Sequence, residues 1–125
     1  MQGITMETII IEKEYPITTI IFNRPQKHNA FNQLFIKEFS NALAKINNDP
    51  LTRVVIIKAN GKSFCAGADV EWMQQMVNFN HEENYLDALS LAHLLQRLNT
   101  LKKPTIALVE GNVYGGGIGI VACAD

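Results

Sequence analysis

Runs of apolar residues separated by polar turns mark the strands of this chain. The segment TIIIEKEYPITTIIFN is rich in β-branched residues and is broken near Pro16, which predicts a hairpin of two strands at residues 8–14 and 18–23. The run RVVIIKA at residues 53–59 is short and continuous, as in a strand that is covered on both faces. We expect another buried strand at residues 105–111, TIALVEG.

Apolar residues at helical spacing mark helices between these strands. Over residues 32–48 they recur every three or four positions from Phe35 to Ile46. Residues 82–100 carry a stripe of leucines and an acidic pair in the first turn, which favours a helix start. A further helix is expected after the glycine-rich segment that follows the last strand. This alternation predicts an α/β protein with its site at the carboxyl ends of strands.

Composition narrows the class of protein. The chain has 125 residues, of which 47% are hydrophobic and 18% charged, as expected for one globular domain. Its formal net charge of −1 gives no general attraction for nucleic acid or for a membrane surface. We therefore expect neither of them as a partner.

The cysteines and the first residues indicate a cytoplasmic protein. Cys65 and Cys123 lie far apart and form no C-x-x-C pair, so we expect two buried thiols, with neither a disulfide framework nor a metal site. The apolar run at residues 9–11 stops at Glu12 and has no basic segment before it, so we expect no signal peptide and no membrane span. Residues 1–6 are a candidate leader.

Two glycine-rich segments are the candidate chemistry. SFCAGADV at residues 63–70 and VYGGGIGI at residues 113–120 each stand after a predicted strand and before a predicted helix. Backbone N–H groups at such a helix start lack intrahelical partners, and small side chains let a ligand approach them. One amide from each loop would form an oxyanion hole. The alternative is that these glycines only permit positive φ and close packing.

Two other glycine motifs partly match the sequence, the P-loop and the dinucleotide fingerprint. Gly61-Lys62-Ser63 is not the end of a P-loop, because the glycine which that motif needs five residues earlier is Ile56. The pattern G-x-G-x-x-A at residues 117–122 matches a dinucleotide fingerprint, but the acidic ribose contact would lie past Asp125. A dinucleotide-binding domain therefore stays as an alternative.

Three segments together resemble the crotonase superfamily, the enoyl-CoA hydratase/isomerase family: FNRPQKHNAFN at residues 22–32, ANGKSFCAGADV at 59–70 and KPTIALVEGNVYGGGIGIVACAD at 103–125. They follow in the family's order and cover most of the chain. The resemblance implies a spiral of ββα units, incomplete here at the C-terminus, so that residues 1–125 are the N-terminal part of an acyl-CoA-binding domain. It also implies a coenzyme A thioester as substrate, no cofactor, and a trimer or dimer of trimers for the full-length protein.

The resemblance assigns roles to individual residues. The two oxyanion-hole amides carry over to Ala68 and Gly116. The nucleotide of CoA is expected near Lys27 and His28, and the acyl pocket near Tyr114. The full set of expected CoA or thioester contacts is Lys27, His28, Ala30, Ala66, Gly67, Asp69, Val70, Tyr114 and Gly115.

Simpler roles are open for several of these residues. Lys27 is equally well read as a solvated surface lysine. Asp69 is a candidate N-cap of the following helix, a role that would also hold the Ala68 amide in place. Trp72, Met73 and Met76 follow at helical spacing, as the wall of an acyl pocket or as ordinary core.

The chain departs from the family where proton transfer is concerned. Typical hydratases of the family carry one glutamate three residues after the middle glycine and a second further on. The first position is Gly119 here, and the second would fall beyond Asp125. Residues 1–125 thus offer an oxyanion hole without an identifiable general acid or base.

Two functions follow from this. The first is an enoyl-CoA hydratase or isomerase in fatty-acid or branched-chain amino-acid breakdown. Its segment YGGGIGIVACAD is most similar in sequence to bacterial methylglutaconyl-CoA hydratases of leucine breakdown. The second is a non-catalytic CoA-binding or assembly module that lacks the glutamates.

Overall fold

The computed structural model describes residues 2–125 and has an α/β architecture. A short 3₁₀ turn at Pro25–Lys27 precedes the first helix. The elements in chain order are β1 (Gln2–Thr5), β2 (Ile9–Glu14), β3 (Ile17–Phe22), α1 (Gln33–Asn47), β4 (Val54–Ala59), β5 (Ser63–Cys65), α2 (Val70–Met76), α3 (His81–Asn99), β6 (Thr105–Ala107), β7 (Asn112–Val113) and α4 (Gly116–Cys123).

The strands form two sheets. The larger sheet has the order β1-β2-β3-β4-β6, in which the first three strands are antiparallel and β3, β4 and β6 are parallel. The smaller sheet consists of β5 and β7, which are parallel to each other. The polypeptide crosses between parallel strands through α1 and α3, and α3 packs on both α1 and α4.

Phenylalanine rings join α1 to both sheets. The ring of Phe22 on β3 lies 5.0 Å from that of Phe35 and 5.3 Å from that of Phe39, both edge to face. The ring of Phe64 on β5 lies 5.2 Å from that of Phe22 and is tilted by 57° to it. All four rings are fully buried, and aromatic pairs of this geometry add about 0.5–1.5 kcal/mol beyond area burial. This cluster fixes β5, and the glycine-rich loop that follows it, against α1.

The predicted hairpin, the helices predicted at 32–48 and 82–100 and the strand at 53–59 are confirmed to within one or two residues, and the helix expected after the second glycine-rich segment is α4. The α/β class is likewise confirmed. The pattern of apolar residues did not predict β1, β5 or β7, which have only 4, 3 and 2 residues. Residues 2–5 of the candidate leader pair with β2, whereas Met1 lies outside the described residues.

Burial of the parallel strands differs from the prediction. The expected strand at 105–111 ends at Ala107, and Ile106 is 48% exposed. Strand β6 is the edge strand of the described sheet, and Ile106 lies in register with Ile56 of β4, which is also only half-buried, so this face of the sheet is not fully covered within residues 2–125. On β4, Val55 and Ile57 are fully buried, but on the other face Val54 and Ile56 are only half-buried and Lys58 is exposed, so the expectation of two covered faces was wrong.

Candidate functional site

The two glycine-rich loops meet because the strands before them are neighbours. Parallel pairing of β5 with β7 puts the carboxyl ends of both strands at the same place. The amide of Tyr114 donates to the carbonyl of Cys65 at 3.0 Å. Gly67 has a φ of +90°, and a Cβ at that position would lie 3.0 Å from the Tyr114 carbonyl oxygen and 3.5 Å from the Gly116 nitrogen. Glycine at position 67 therefore permits the close approach of the two loops.

The backbone amides of Ala68 and Gly116 are unpaired where these loops meet. Neither donates a hydrogen bond within residues 2–125. Their neighbours are used in the fold, since the Ala66 amide donates to the His28 carbonyl at 3.1 Å and the Asp69 amide to the Phe31 carbonyl at 2.8 Å. Two donors on residues with little or no side chain are thus left for a ligand.

A cavity of about 580 Å³ is bordered by both of these residues. Apart from Asn84 and Asp87 its walls are apolar, which suits an acyl chain better than a sugar or a nucleotide. The remaining lining residues come from the loop before α1 and from α2 and α3: Phe31, Trp72, Met73, Met76, Val77, Ala88 and Leu91.

Asp69 holds the first loop in place. Its Oδ1 accepts from the amides of Glu71 at 2.8 Å and Trp72 at 3.4 Å, so it caps α2, and the N-cap interpretation is confirmed. Its Oδ2 accepts from Arg24 Nη2 at 3.0 Å. Burial raises the pKa of Asp69, but the hydrogen bonds from Arg24 and the two amides outweigh it, so the pKa lies below its ordinary value. The carboxylate is therefore charged at neutral pH.

The turn between β3 and α1 is attached to the same loop through Asn29. This side chain is fully buried, and its amide donates to the carbonyls of Asn60 at 2.7 Å and Ser63 at 2.8 Å. Its Oδ1 accepts from the Arg24 amide at 2.8 Å. A φ of 55° at Asn29 is tolerated best by glycine and by asparagine among the other residues. The turn is thereby fixed to β5.

The family profile described as Enoyl-CoA hydratase/isomerase matches residues 12–125. The chain belongs to this family. A crotonyl-CoA hydratase from Syntrophomonas wolfei is 36% identical over 120 residues, which is 95% of this chain and 45% of the relative.

Solved structures of the family share the fold. A Legionella pneumophila protein assigned as an enoyl-CoA hydratase/isomerase (crotonase) superposes with a TM-score of 0.92 at 41% identity, over 97% of this chain and 47% of that one. An enoyl-CoA hydratase from Shewanella pealeana gives a TM-score of 0.93 at 34% identity, over 95% and 45%. The chain has the crotonase fold and spans less than half the length of these relatives.

The residues expected to contact CoA lie around the two loops in different environments. Lys27 is exposed, with Nζ 3.2 Å from Glu71 Oε1, and His28 Nδ1 lies 3.1 Å from Ser63 Oγ. Val70 is 62% exposed and Tyr114 57% exposed, and neither borders the cavity. Their contacts with CoA stay predictions. Gly115 is exposed, Ala66 is half-buried, and Ala30 and Gly67 are buried.

Several residues of the site were not among the predicted site residues. Arg24, Asn29 and Phe31 position the loops, and Phe31 and Asp87 border the cavity. The RPQKHNA segment was the available clue for the first two. Of the residues left open, Trp72, Met73 and Met76 all border the cavity, and Trp72 is also buried core.

Helix α4 carries no acidic group near the cavity. A Cβ at Gly119 would lie 3.5 Å from Leu95 Cδ1, so this position faces α3. A Cβ at Gly117 would lie 2.8 Å from the Cys65 carbonyl oxygen. Of the two glycines of the dinucleotide pattern, Gly117 thus permits close packing of α4 on β5, whereas a Cβ at Gly119 would make an ordinary contact with α3.

The two cysteines differ from each other. Cys65 is fully buried, and burial raises the pKa of its thiol. Cys123 is only half-buried, so the expectation of two buried thiols was wrong for this residue, because α4 has no cover on that side within residues 2–125. No helix in that range is long and apolar enough to cross a membrane, and no cluster of three potential metal ligands lies in it.

Proposed function

We propose that the protein is an acyl-CoA enzyme of the enoyl-CoA hydratase or isomerase type, and that the amides of Ala68 and Gly116 form its oxyanion hole. One observation carries the proposal: Ala68 and Gly116, whose amides are both unpaired, line the same apolar cavity. A thioester carbonyl that accepts from both amides would direct its acyl chain along the apolar walls.

The chemistry required of these amides is electrostatic. Addition to an enoyl thioester, or removal of a proton beside its carbonyl, moves an electron pair onto the carbonyl oxygen and creates an enolate. Two fixed N–H donors stabilise that charge without reorganising, and one such donor contributes about 3–4 kcal/mol to lowering a barrier. The start of α4 adds the positive end of a helix dipole near Gly116.

Proton transfer is assigned to a group outside residues 2–125, since Gly119 has no side chain to transfer a proton. We further propose that Lys27 and His28 contact the CoA nucleotide, that the protein acts in the cytoplasm and that the whole protein is a homotrimer or dimer of trimers. The finer assignment is methylglutaconyl-CoA hydration in leucine breakdown, supported by the segment YGGGIGIVACAD at residues 114–125.

The test replaces Ala68 by proline in the whole protein. Because the Ala68 amide makes no hydrogen bond in the fold, this change removes the catalytic donor and no structural one. Enoyl-CoA turnover should fall about 100-fold or more, while Ala68→Gly, which keeps the N–H, should stay near the parent. Undiminished turnover in a folded Ala68→Pro variant would contradict the oxyanion hole.

Gly116 is the poorer position for this test. A Cβ there would lie 2.5 Å from Phe31 Cζ, so any side chain disturbs the packing as well as the amide. A loss of activity in a Gly116 variant would therefore have two explanations.

The second candidate function is a CoA-binding module without turnover. The observation that favours it is Gly119, whose position faces Leu95 and supplies no carboxylate. Binding of an acyl-CoA to the whole protein, combined with no turnover of any enoyl-CoA offered, would select this function.

A further inference from the structure

Two buried polar atoms lack hydrogen-bond partners among residues 2–125. They are Oδ2 of Asp87 on α3 and Nε1 of Trp72 on α2. The two side chains are only 5% and 7% exposed. Gln33 Nε2 donates to the other carboxylate oxygen, Asp87 Oδ1, at 3.0 Å. One acceptor and one donor are therefore unsatisfied, and Gln33 holds the other oxygen of the carboxylate.

Both side chains border the proposed acyl cavity. They also border a second, more polar cavity of about 610 Å³ between α1 and α3, whose lining includes Lys37 and Arg97. Trp72 and Asp87 thus form part of the wall between the two cavities. Among residues 2–125, Asp87 is the one ionisable residue that lines the cavity shared with Ala68 and Gly116.

The unpaired atoms define what chemistry fits between them. An unsatisfied buried donor or acceptor costs about 1–3 kcal/mol, and the cost is recovered when a ligand supplies the missing partner. Trp72 Nε1 only donates and the carboxylate of Asp87 only accepts. A hydroxyl group does both, because its oxygen accepts from the indole while its proton is donated to the carboxylate. A hydrocarbon chain satisfies neither.

We propose that Trp72 and Asp87 form a polar subsite in the acyl cavity that recognises a hydroxyl group on the acyl chain of the thioester. The inference rests on the proposed acyl-CoA function and adds to it which acyl chains the cavity prefers. In a hydratase the 3-hydroxyl of the hydrated thioester has this chemistry, and so has a hydroxyl further along the chain.

Binding of the hydroxyl requires a small side-chain movement that uncovers the two unpaired atoms. Asp87 Oδ2 and Trp72 Nε1 are both buried. Sites built to hydrogen-bond a hydroxyl discriminate strongly against analogues without it, since the polar groups are then left unpaired.

The experiment measures binding of three matched thioesters to the whole protein by calorimetry: butanoyl-CoA, 3-hydroxybutanoyl-CoA and 4-hydroxybutanoyl-CoA. One of the hydroxylated thioesters should bind about tenfold or more tightly than butanoyl-CoA. Its identity tells which carbon carries the recognised hydroxyl. Equal affinities for all three would overturn the subsite.

Variants test whether the preference comes from this pair. Asp87→Asn keeps the shape but replaces the charged acceptor, and Trp72→Phe keeps the ring against Phe31 but removes the N–H. Each should reduce the preference to about threefold or less. Ser90→Ala is the control, since Ser90 lies one turn along α3, borders only the polar cavity and should leave the preference unchanged.

The outcomes separate this inference from the proposed function. A hydroxyl preference that survives both Asp87→Asn and Trp72→Phe would overturn the assignment to these residues. If the parent binds all three thioesters equally, the subsite fails and the acyl-CoA function stands. If it binds none of them, the acyl-CoA function fails and the subsite fails with it.

Discussion

Arg24 Nη2 donates to Asp69 Oδ2 at 3.0 Å, and this ion pair links the turn after β3 to the first turn of α2. Both side chains are largely buried, and Arg24 also donates to the carbonyl of Ala30. Since Asp69 caps α2 and follows Ala68 directly, the pair holds the Ala68 amide in its orientation. Positioning of the proposed oxyanion hole thus depends on a charge outside the cavity.

Replacement of Asp69 by asparagine should destabilise the protein by about 2 kcal/mol at pH 7. Asparagine still caps α2, but the buried Arg24 guanidinium loses its counter-ion. Urea unfolding of the two proteins, monitored by circular dichroism, gives the difference. If the unfolding free energies agree within about 0.5 kcal/mol, the ion pair contributes nothing to the fold.

The difference in unfolding free energy between the parent and Asp69→Asn should disappear at acidic pH. The folded-state pKa of Asp69 is lowered, so its charge stabilises the fold fully above the unfolded pKa of about 3.9, and this stabilisation is lost as pH falls through the folded pKa. Unfolding curves from pH 7 down to pH 2 should converge for the parent and Asp69→Asn. A constant difference over that range would contradict the sign of the shift.

Asn29→Asp should be more destabilising than Asn29→Ala at neutral pH. Aspartate has the same shape but cannot donate to the carbonyls of Asn60 and Ser63, and its charge would face both oxygens at less than 3 Å. We expect a loss of about 3 kcal/mol or more, against about 2 kcal/mol for alanine. Equal stability of the two variants, measured by thermal unfolding, would contradict the expected repulsion between the carboxylate and the two carbonyl oxygens.

Gly119→Ala should stabilise the protein by about 0.5–1 kcal/mol. The position is inside α4, a Cβ there would make an ordinary contact with Leu95 Cδ1 at 3.5 Å, and alanine reduces the entropy of the unfolded chain. Gly117→Ala is the matched comparison on the same helix, since its Cβ would collide with Cys65 at 2.8 Å and should destabilise. Thermal midpoints that move in the same direction would contradict this packing.

Cys123 should react with a thiol reagent such as Ellman's reagent well before Cys65. The Cys65 side chain is fully buried and its thiol pKa is raised by burial, so little thiolate is present at neutral pH. The time course of labelling in native protein, compared with Cys123→Ser, measures the difference. Fast modification of Cys65 without unfolding would contradict the packing of β5.

The local elements were fixed by the amino-acid pattern, because each is stabilised within a short segment. Helices α1 and α3 have apolar residues at helical spacing and acceptors at their N-caps, and strands β2 and β3 are rich in β-branched residues. The amino-acid sequence also indicated the small residues around Ala68 and Gly116 and the resemblance to the family. Such a resemblance predicts which residues form the site, but not which of their polar atoms lack a hydrogen-bond partner.

Tertiary structure decided everything that depends on partners distant in sequence. Strands β5 and β7 are too short for any periodicity and exist because they pair with each other. Asp69 meets Arg24 across 45 positions, and Asp87 meets Gln33 across 54, which no spacing rule connects. Whether an amide or a carboxylate oxygen is left without a partner depends on all the neighbours that folding brings to it. For this reason the sequence determined the elements and the small residues of the loops, and only the folded chain determined which polar groups remain available to a ligand.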